Sequence, residues 1–253
     1  MPIEWRVVAI KLQALRCAPE LVCCHWNQGD TIALLFETYK HENQALLESY
    51  LSAPDQCRSL IGEASWQRFL SYENQEARDE FLASRIVVSR ICEVLSSADE
   101  QIKLVATTFQ QPYLQSSEGR KYSVSWTHSC GIVVVALNRN HVIGVDLELG
   151  EPLPLDLNVL EQLASPEELV WLRRAEVNGC YKESFRALWQ AKEALLKADG
   201  RGGALNLSRV NLALPDGALL ESVRLPPHTY SVNRQALGDI GFISLAVRTD
   251  TMH

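Results

Sequence analysis

Short apolar runs and longer helical patterns follow one another along this chain, as they do in proteins that pack helices on sheets. Apolar residues at helical spacing predict helices at 40–52, 75–96, 156–163, 165–178 and 180–199. Runs rich in β-branched and aromatic residues predict strands, at WRVVAI, ELVCCHW, TIALLFE, KLVATTF, YSVSW, GIVVVAL, VIGVDLE, VRLPPHTYSVN and GFISLAV. We therefore expect an α+β fold.

Two of the predicted helix ends carry clear capping signals. In SPEEL, Ser165 suits the N-cap, Pro166 the first helical position and Glu168 the third, which together predict a capping box. The stretch ADGRGG at 198–203 predicts the end of the last long helix.

A weak internal repeat becomes visible when the sequence is shifted by 112 residues. TIALLFE (31–37) then falls on IGVDLEL (143–149), and LSAPDQCRSL (51–60) falls on LASPEELVWL (163–172). Strand aligns with strand and helix start with helix start, as in a duplicated unit. We expect two similar α+β halves, with residues 1–139 in the first and 140–253 in the second.

Composition and charge narrow the class of protein. The 253 residues are 47% hydrophobic, enough for one large domain or two small ones, and the net charge of -7 argues against non-specific nucleic-acid binding. No apolar stretch reaches the ~18 residues of a membrane span, and the N-terminus lacks the pattern of a signal peptide. The seven cysteines include no C-x-x-C pair. We expect a soluble cytoplasmic protein with no nucleic-acid or membrane partner.

The stretch VIGVDLE at 142–148 poses a problem of charge. If it is a strand, Gly144, Asp146 and Glu148 point to one face and the apolar residues to the other. Burying two carboxylates this close together is costly unless a cation or a partner neutralises them.

A second informative stretch is FRALWQAKEALLKADG at 185–200, which predicts one helix. Trp189, Glu193 and Lys197 share a face at this spacing. One interpretation is a surface Glu–Lys pair beside an inward-facing tryptophan. The other is that Glu193 joins the two strand carboxylates in an oxygen site for Mg²⁺. Residues 173–201 hold seven basic and four acidic residues, and a metal beside basic side chains favours a phosphate site.

The spacing of these two motifs resembles the signature of the Sfp-type 4'-phosphopantetheinyl transferases. IGVDLE followed about forty-five residues later by LWQAKEALLK matches that family's Asp-x-Glu strand and Trp-x-x-Lys-Glu-Ala-x-x-Lys helix. YSVSWTHSCGIVVVAL resembles the family's Ser-His-Ser segment, and ARDEFLASRIVVSRICEVL resembles its first-half arginine helix. The resemblance extends from about residue 51 to residue 207.

The resemblance implies a fold, a reaction and a set of site residues. The family folds as a pseudo-dimer of two similar α+β halves with the active site at their interface, the first half contacting coenzyme A and the second binding metal. It transfers the 4'-phosphopantetheine group of coenzyme A to a serine of an apo acyl or peptidyl carrier protein and releases adenosine 3',5'-bisphosphate. By this resemblance, Asp146, Glu148 and Glu193 would bind Mg²⁺, and Glu193 would also act as the base. Lys197 and Lys192 would contact the diphosphate. His128, with Thr127 beside it, would bind the 3'-phosphate, and Arg85 and Arg78 would contact the nucleotide phosphates.

Several positions depart from the family pattern, and some of the residues that match it have a simpler alternative role. Gln111 replaces a usual lysine, Thr127 a serine and Glu80 an arginine, which affects coenzyme A affinity more than reaction type. His128 could be structural, and the arginines could lie on a solvated helix face. The alternative functions are a Mg²⁺-dependent nucleotide phosphohydrolase and a degenerate homologue that only binds carrier domains. We expect a monomer.

Overall fold

The computed structural model describes residues 22–25, 31–39, 41–107, 110–150, 157–201, 205–214, 218–236 and 241–250. These residues form two compact units, one from 1–107 and 112–140 and the other from 108–111 and 141–253. Each unit contains an antiparallel sheet with helices, so the predicted α+β class is confirmed.

The first unit contains a six-stranded sheet in the order β1-β2-β6-β5-β4-β3. The start of β4, Gln110 and Gln111, groups with the second unit. The elements are β1 (Val22–His25), β2 (Thr31–Glu37), α1 (His41–Leu51), α2 (Pro54–Ile61), α3 (Glu63–Leu70), α4 (Gln75–Leu95), β3 (Ile102–Thr107), β4 (Gln110–Ser116), β5 (Lys121–Ser129) and β6 (Ile132–Asn138).

The core of the first unit forms where α4 packs on the sheet. Strand β6 lies between β2 and β5 and is buried along its whole length, which explains its continuous apolar run. Helix α4 begins at the N-cap Asn74, whose side chain accepts a hydrogen bond from the Ala77 amide. Its Phe81 and Leu82 are buried in the same cluster as the strands.

The second unit contains a four-stranded sheet in the order β7-β10-β9-β8. Its elements are β7 (Ile143–Leu147), α5 (Leu157–Leu163), α6 (Pro166–Val177), α7 (Tyr181–Asp199), a 3-10 turn (Leu207–Arg209), β8 (Ser222–Leu225), β9 (His228–Ala236) and β10 (Phe242–Arg248). The capping box at Ser165 and Glu168 is confirmed, and Gly200 ends α7 in the left-handed conformation.

The two units share one chain topology. In each, one strand (β2 or β7) leads to helices and then to a meander whose last strand pairs antiparallel with it, β6 with β2 and β10 with β7. Strands β2 and β7 begin at Thr31 and Ile143, and the helices α2 and α6 begin at Pro54 and Pro166, each pair 112 residues apart. Strand β1, which precedes β2, has no counterpart among the described strands of the second unit. The weak repeat in the sequence therefore corresponds to a repeat of elements.

The predicted elements agree with the structure where the periodicity is strong. Helices α1, α4, α5, α6 and α7 lie within a residue of the predicted bounds. Helix α3 and strand β4 were missed, and only the start of α2 was predicted, from the repeat. Both helices have eight residues with a single buried one, and QQPYLQS is polar and contains a proline. VRLPPHTYSVN is two strands joined at Pro226–Pro227, and WRVVAI lies outside the described residues. Among the helices that the structure describes, none is sufficiently long and apolar to cross a membrane.

Candidate active site

The acidic strand β7 of the second unit is buried along its whole length, so its negative charge needs compensation within the protein. Asp146 is only 4% exposed and pairs in register with Ser244 on β10. Glu148 follows directly after the strand and is partly buried. The predicted strand and the burial of its carboxylates are thus present.

Helix α7 lies against β7 at a distance that only glycine permits. A Cβ atom on Gly144 would lie 2.0 Å from the carbonyl oxygen of Ala194 and 2.5 Å from the amide nitrogen of Ala198. The missing side chain therefore allows backbone-to-backbone contact between strand and helix. This contact places Lys197, which lies between Ala194 and Ala198 on the helix, beside the acidic strand.

Lys197 is the side chain that neutralises Asp146. Its Nζ donates to Asp146 Oδ1 at 2.7 Å and to the carbonyl oxygen of Val145 at 3.0 Å. The lysine side chain is 30% exposed, whereas that of the aspartate is 6% exposed. Lys197 therefore lies at the edge of the site, with one side open to solvent.

The two glutamates carry raised pKa values because they are partly buried beside other acids. Burial raises the pKa of Glu148 most, the charge of Asp146 adds to it, and Trp189, Lys197 and Arg186 oppose it. Burial also raises the pKa of Glu193 most, with further increases from Asp146 and Glu148 and opposition from Lys197. The three predicted acids are therefore close enough to repel one another, which is typical of functional sites.

These acids do not form a ready-made metal cage. Among the described residues, no group of three or more His, Cys, Asp and Glu side chains is arranged to hold a metal ion. Lys197 forms the ion pair with Asp146. The three carboxylates carry the oxygen donors that Mg²⁺ prefers.

Helix α7 also holds Glu148, through Trp189 and through Gln190, which the sequence analysis did not select. Trp189 Nε1 donates to Glu148 Oε1 at 3.2 Å. The fully buried Gln190 donates through Nε2 to the carbonyl oxygens of Glu148 at 3.1 Å and Phe242 at 3.0 Å. A polar residue between the apolar positions Leu188 and Ala191 of a helix is the signal that could have identified it.

Lys192 lies in the core of the second unit, and the predicted contact with the diphosphate is not supported. Its side chain is 1% exposed, and its Nζ forms an ion pair with Glu168 Oε2 at 2.5 Å. The same Nζ donates to the carbonyl oxygens of Leu163, Leu207 and Val210 at 2.7, 2.8 and 2.9 Å. Burial lowers the pKa of this lysine, and Glu168 opposes the shift. The ammonium has a structural role because its hydrogens are used within the unit.

His128 lies on β5 in the first unit and contacts an acid on α4. Its Nδ1 is 2.8 Å from Glu80 Oε2, and its side chain remains 38% exposed. The neighbouring Thr127 is only 5% exposed, so little of it is open to a ligand. The contact with Glu80 was not predicted, since the two residues are far apart in the sequence.

The two predicted arginines stack on aromatic rings in the first unit. The Arg85 guanidinium lies 4.7 Å from the Phe81 ring centroid and 4.5 Å from that of Trp126. Burial and the nearby Arg68 lower the pKa of Arg85 to about 10. Within the described part of the chain, its buried Nε and Nη1 atoms have no hydrogen-bond partner. Arg85 therefore does not lie on a solvated helix face.

Arg78 also stacks on an aromatic ring and has a buried donor atom. Its guanidinium lies 4.8 Å from the ring centroid of Phe69, and its buried Nε has no partner among the described residues. Two stacked guanidinium groups with unused hydrogen-bond donors suit an anion. Arg85 also lines a cavity of about 610 Å³, together with Ser89 and Lys103.

Comparison with known proteins agrees with the motifs. Residues 142–234 match the family model described as the 4'-phosphopantetheinyl transferase superfamily. The chain is 28% identical over 170 residues to a putative 4'-phosphopantetheinyl transferase of Synechocystis, which covers 67% of this chain and 68% of the relative. It is 27% identical over 173 residues to a 4'-phosphopantetheinyl transferase of Aneurinibacillus migulanus, covering 68% of this chain and 67% of the relative.

A 4'-phosphopantetheinyl transferase of Bacillus subtilis is 28% identical over 160 residues, which are 62% of this chain and 67% of the relative. The stretch matched by the family model holds Asp146, Glu148, Glu193 and Lys197 together. The predicted resemblance is confirmed, since residues 142–234 match the model of the 4'-phosphopantetheinyl transferase superfamily and the similar proteins carry that enzyme name.

Proposed function

We propose that this protein transfers the 4'-phosphopantetheine group of coenzyme A to a serine hydroxyl of an apo carrier protein. The serine oxygen would form a new bond to the phosphorus on the pantetheine side of the diphosphate, and adenosine 3',5'-bisphosphate would leave. The observation that carries the proposal is the convergence of Asp146, Glu148, Glu193 and Lys197 on one strand and one helix. The similar proteins that bear this enzyme name support the same reaction.

The acids are the residues that would hold Mg²⁺. All three groups are carboxylates, the donors that this ion prefers. Burial first, and the charge of Asp146 second, raise the pKa values of Glu148 and Glu193, and Lys197 opposes both shifts. When bound, the ion would supply positive charge beside the diphosphate oxygens. Asp146, already close to Lys197, would be its most buried ligand.

Glu193 would accept the proton of the incoming serine. A serine hydroxyl is a weak nucleophile and needs a base within hydrogen-bond reach. The raised pKa of Glu193 makes this carboxylate a stronger proton acceptor than a solvated glutamate. Lys197 lies beside it, and its ammonium would stabilise the negative charge that develops on the leaving phosphate.

The first half would contribute contacts to the nucleotide end of coenzyme A. His128 is partly exposed and would bind the 3'-phosphate, and Arg85 and Arg78 offer unused donors for the other phosphates. Such a division of labour gives one site per chain, so the active species would be a monomer.

The test is transfer to purified apo carrier proteins. We expect release of adenosine 3',5'-bisphosphate that requires the carrier, together with a phosphopantetheine mass increase on its serine. Glu193→Gln should lose both signals, whereas Glu183→Gln, an exposed acid on the same helix, should retain them. Release of the bisphosphate without any carrier would identify a hydrolase instead, and no release with intact folding would indicate a binding protein.

A further inference from the structure

The side chain of Glu80 connects His128 to the turn that follows it. Glu80 lies on α4, is 6% exposed and uses both carboxylate oxygens. Oε2 is 2.8 Å from His128 Nδ1, and Oε1 accepts the Gly131 amide at 2.6 Å. One buried carboxylate therefore holds the ring and the β5–β6 turn at the same time.

The turn itself has little freedom to move. Gly131 has a positive φ of 74°, and the preceding Cys130 has one of 50°. The carbonyl oxygen of Gly131 accepts hydrogen bonds from the Thr38 amide at 2.7 Å and the Thr38 hydroxyl at 2.9 Å. Glu80 and Thr38 thus fix the turn from two sides, but only Glu80 also contacts His128.

We infer that Glu80 is a positioning residue, which orients the His128 ring so that Nε2 faces the ligand. This inference rests on the proposed function, in which His128 binds a phosphate of coenzyme A. An ionised carboxylate only accepts hydrogen bonds, so the contact requires a hydrogen on His128 Nδ1. Because the hydrogen bond to Glu80 occupies Nδ1, Nε2 is the ring nitrogen that remains available to the ligand.

The charge of the buried Glu80 carboxylate also supports a hydrogen on His128 Nδ1. A buried carboxylate is costly unless hydrogen bonds compensate it, and here those bonds come from the amide of Gly131 and the ring of His128. When the ring carries both hydrogens, the Glu80–His128 pair is neutral, and Nε2 presents an N–H donor to a phosphate. The acid therefore prepares the ring without touching the ligand.

The experiment compares substrate preference in three variants. For the Glu80→Ala variant, we expect the ratio of kcat/KM for coenzyme A to that for 3'-dephospho-coenzyme A to fall about 10-fold, the loss of one charged hydrogen bond. Glu80→Gln keeps one acceptor oxygen and should fall less. Thr38→Val is the matched control: it loosens the same turn, so its thermal stability should fall while the ratio stays unchanged.

A spectroscopic measurement separates positioning from general destabilisation. In ¹⁵N-histidine spectra without substrate, assigned with His128→Ala, the neutral His128 ring should carry its hydrogen on Nδ1. Glu80→Ala should shift it toward the Nε2–H form, whereas Thr38→Val should not. The double variant Glu80→Ala/His128→Ala should have the same substrate ratio as His128→Ala alone, since the acid acts through the ring.

Two different failures are distinguishable. If His128→Ala lowers the substrate ratio while Glu80→Ala changes neither the ratio nor the ring hydrogen, the positioning role is wrong. If His128→Ala leaves the ratio unchanged, the phosphate contact in the proposed function is wrong, and so is a role for Glu80 in it, whatever the spectra report.

Discussion

At the scale of single residues, the second unit holds acids in two different situations. Glu168 is buried and fully compensated by Lys192 and by backbone amides. Glu148 and Glu193 are partly buried, and their pKa values are raised mainly by that burial and then by the neighbouring Asp146, with Lys197 opposing the shift. A buried ion pair is costly to break, whereas partly compensated acids lower stability even when intact, which suits a binding role.

Glu193→Gln should abolish transfer and leave the protein at least as stable at pH 7. The pKa of Glu193 is higher in the folded protein than its ordinary value of 4.5, so the folded state binds this proton more tightly. Stability is then greatest below the unfolded pKa and decreases as pH rises through the folded one. Urea unfolding from pH 4.5 upward should show a smaller decrease in Glu193→Gln than in the wild type or in Glu183→Gln. An equal decrease in all three would contradict the assigned pKa shift.

Lys192→Met should destabilise the protein by about 3–5 kcal/mol, the cost of leaving a buried charge without its partner. The reason is that Glu168 would keep its carboxylate in the core beside no cation. Chemical denaturation would measure the loss. The double variant Lys192→Met/Glu168→Gln should recover part of this stability, and its KM for coenzyme A should equal that of the wild type. A raised KM for coenzyme A in the folded double variant would indicate that Lys192 contacts the ligand.

At the scale of elements, the site depends on how closely α7 approaches β7. The sequence predicted both elements, the shared face of Glu193 and Lys197, and the acids of the strand, because these follow from local periodicity. It did not predict that Lys192 is buried or that Gln190 binds the strand end, since both depend on partners distant in the sequence. The eight-residue helices α2 and α3 lacked the long apolar pattern that marks a helix.

Gly144→Ala should destabilise the second unit by about 3 kcal/mol or more, because a methyl group would overlap the backbone of α7. Transfer should fall as well, since displacing the helix separates Lys197 from Asp146. Thermal unfolding and the carrier assay would measure the two effects. Gly179→Ala is the control: its Cβ would meet nothing within 4 Å, so only its positive φ adds a cost, about 1–2 kcal/mol. Similar losses in both variants would argue against the close contact.

At the scale of the whole molecule, the repeat of elements is not a repeat of chemistry. The 112-residue shift that aligns β2 with β7 in the sequence places Leu34, Phe36 and Phe81 opposite Asp146, Glu148 and Glu193. The three apolar counterparts are buried core residues of the first unit. Lys197 is matched by Arg85, so a cation is kept where the carboxylates are not.

One chain should therefore bind one coenzyme A. We expect calorimetric titration with coenzyme A and Mg²⁺ to give one site per chain, because the first half has apolar residues at the three positions that align with the acids. Sedimentation at assay concentrations should find the active species to be a monomer. Two equivalent sites, or activity confined to a dimer, would contradict this expectation.

The carboxylate of Glu168 has a consequence for how the second unit opens. It accepts hydrogen bonds from the amides of Ser165 at 2.7 Å and Leu212 at 2.7 Å, besides the ion pair with Lys192. All three groups contact the same carboxylate, so moving Glu168 into water would break the three contacts together. Local fraying is therefore suppressed, and the amide hydrogens of Ser165 and Leu212 should exchange with deuterium together, at the slow rate of cooperative unfolding of the unit.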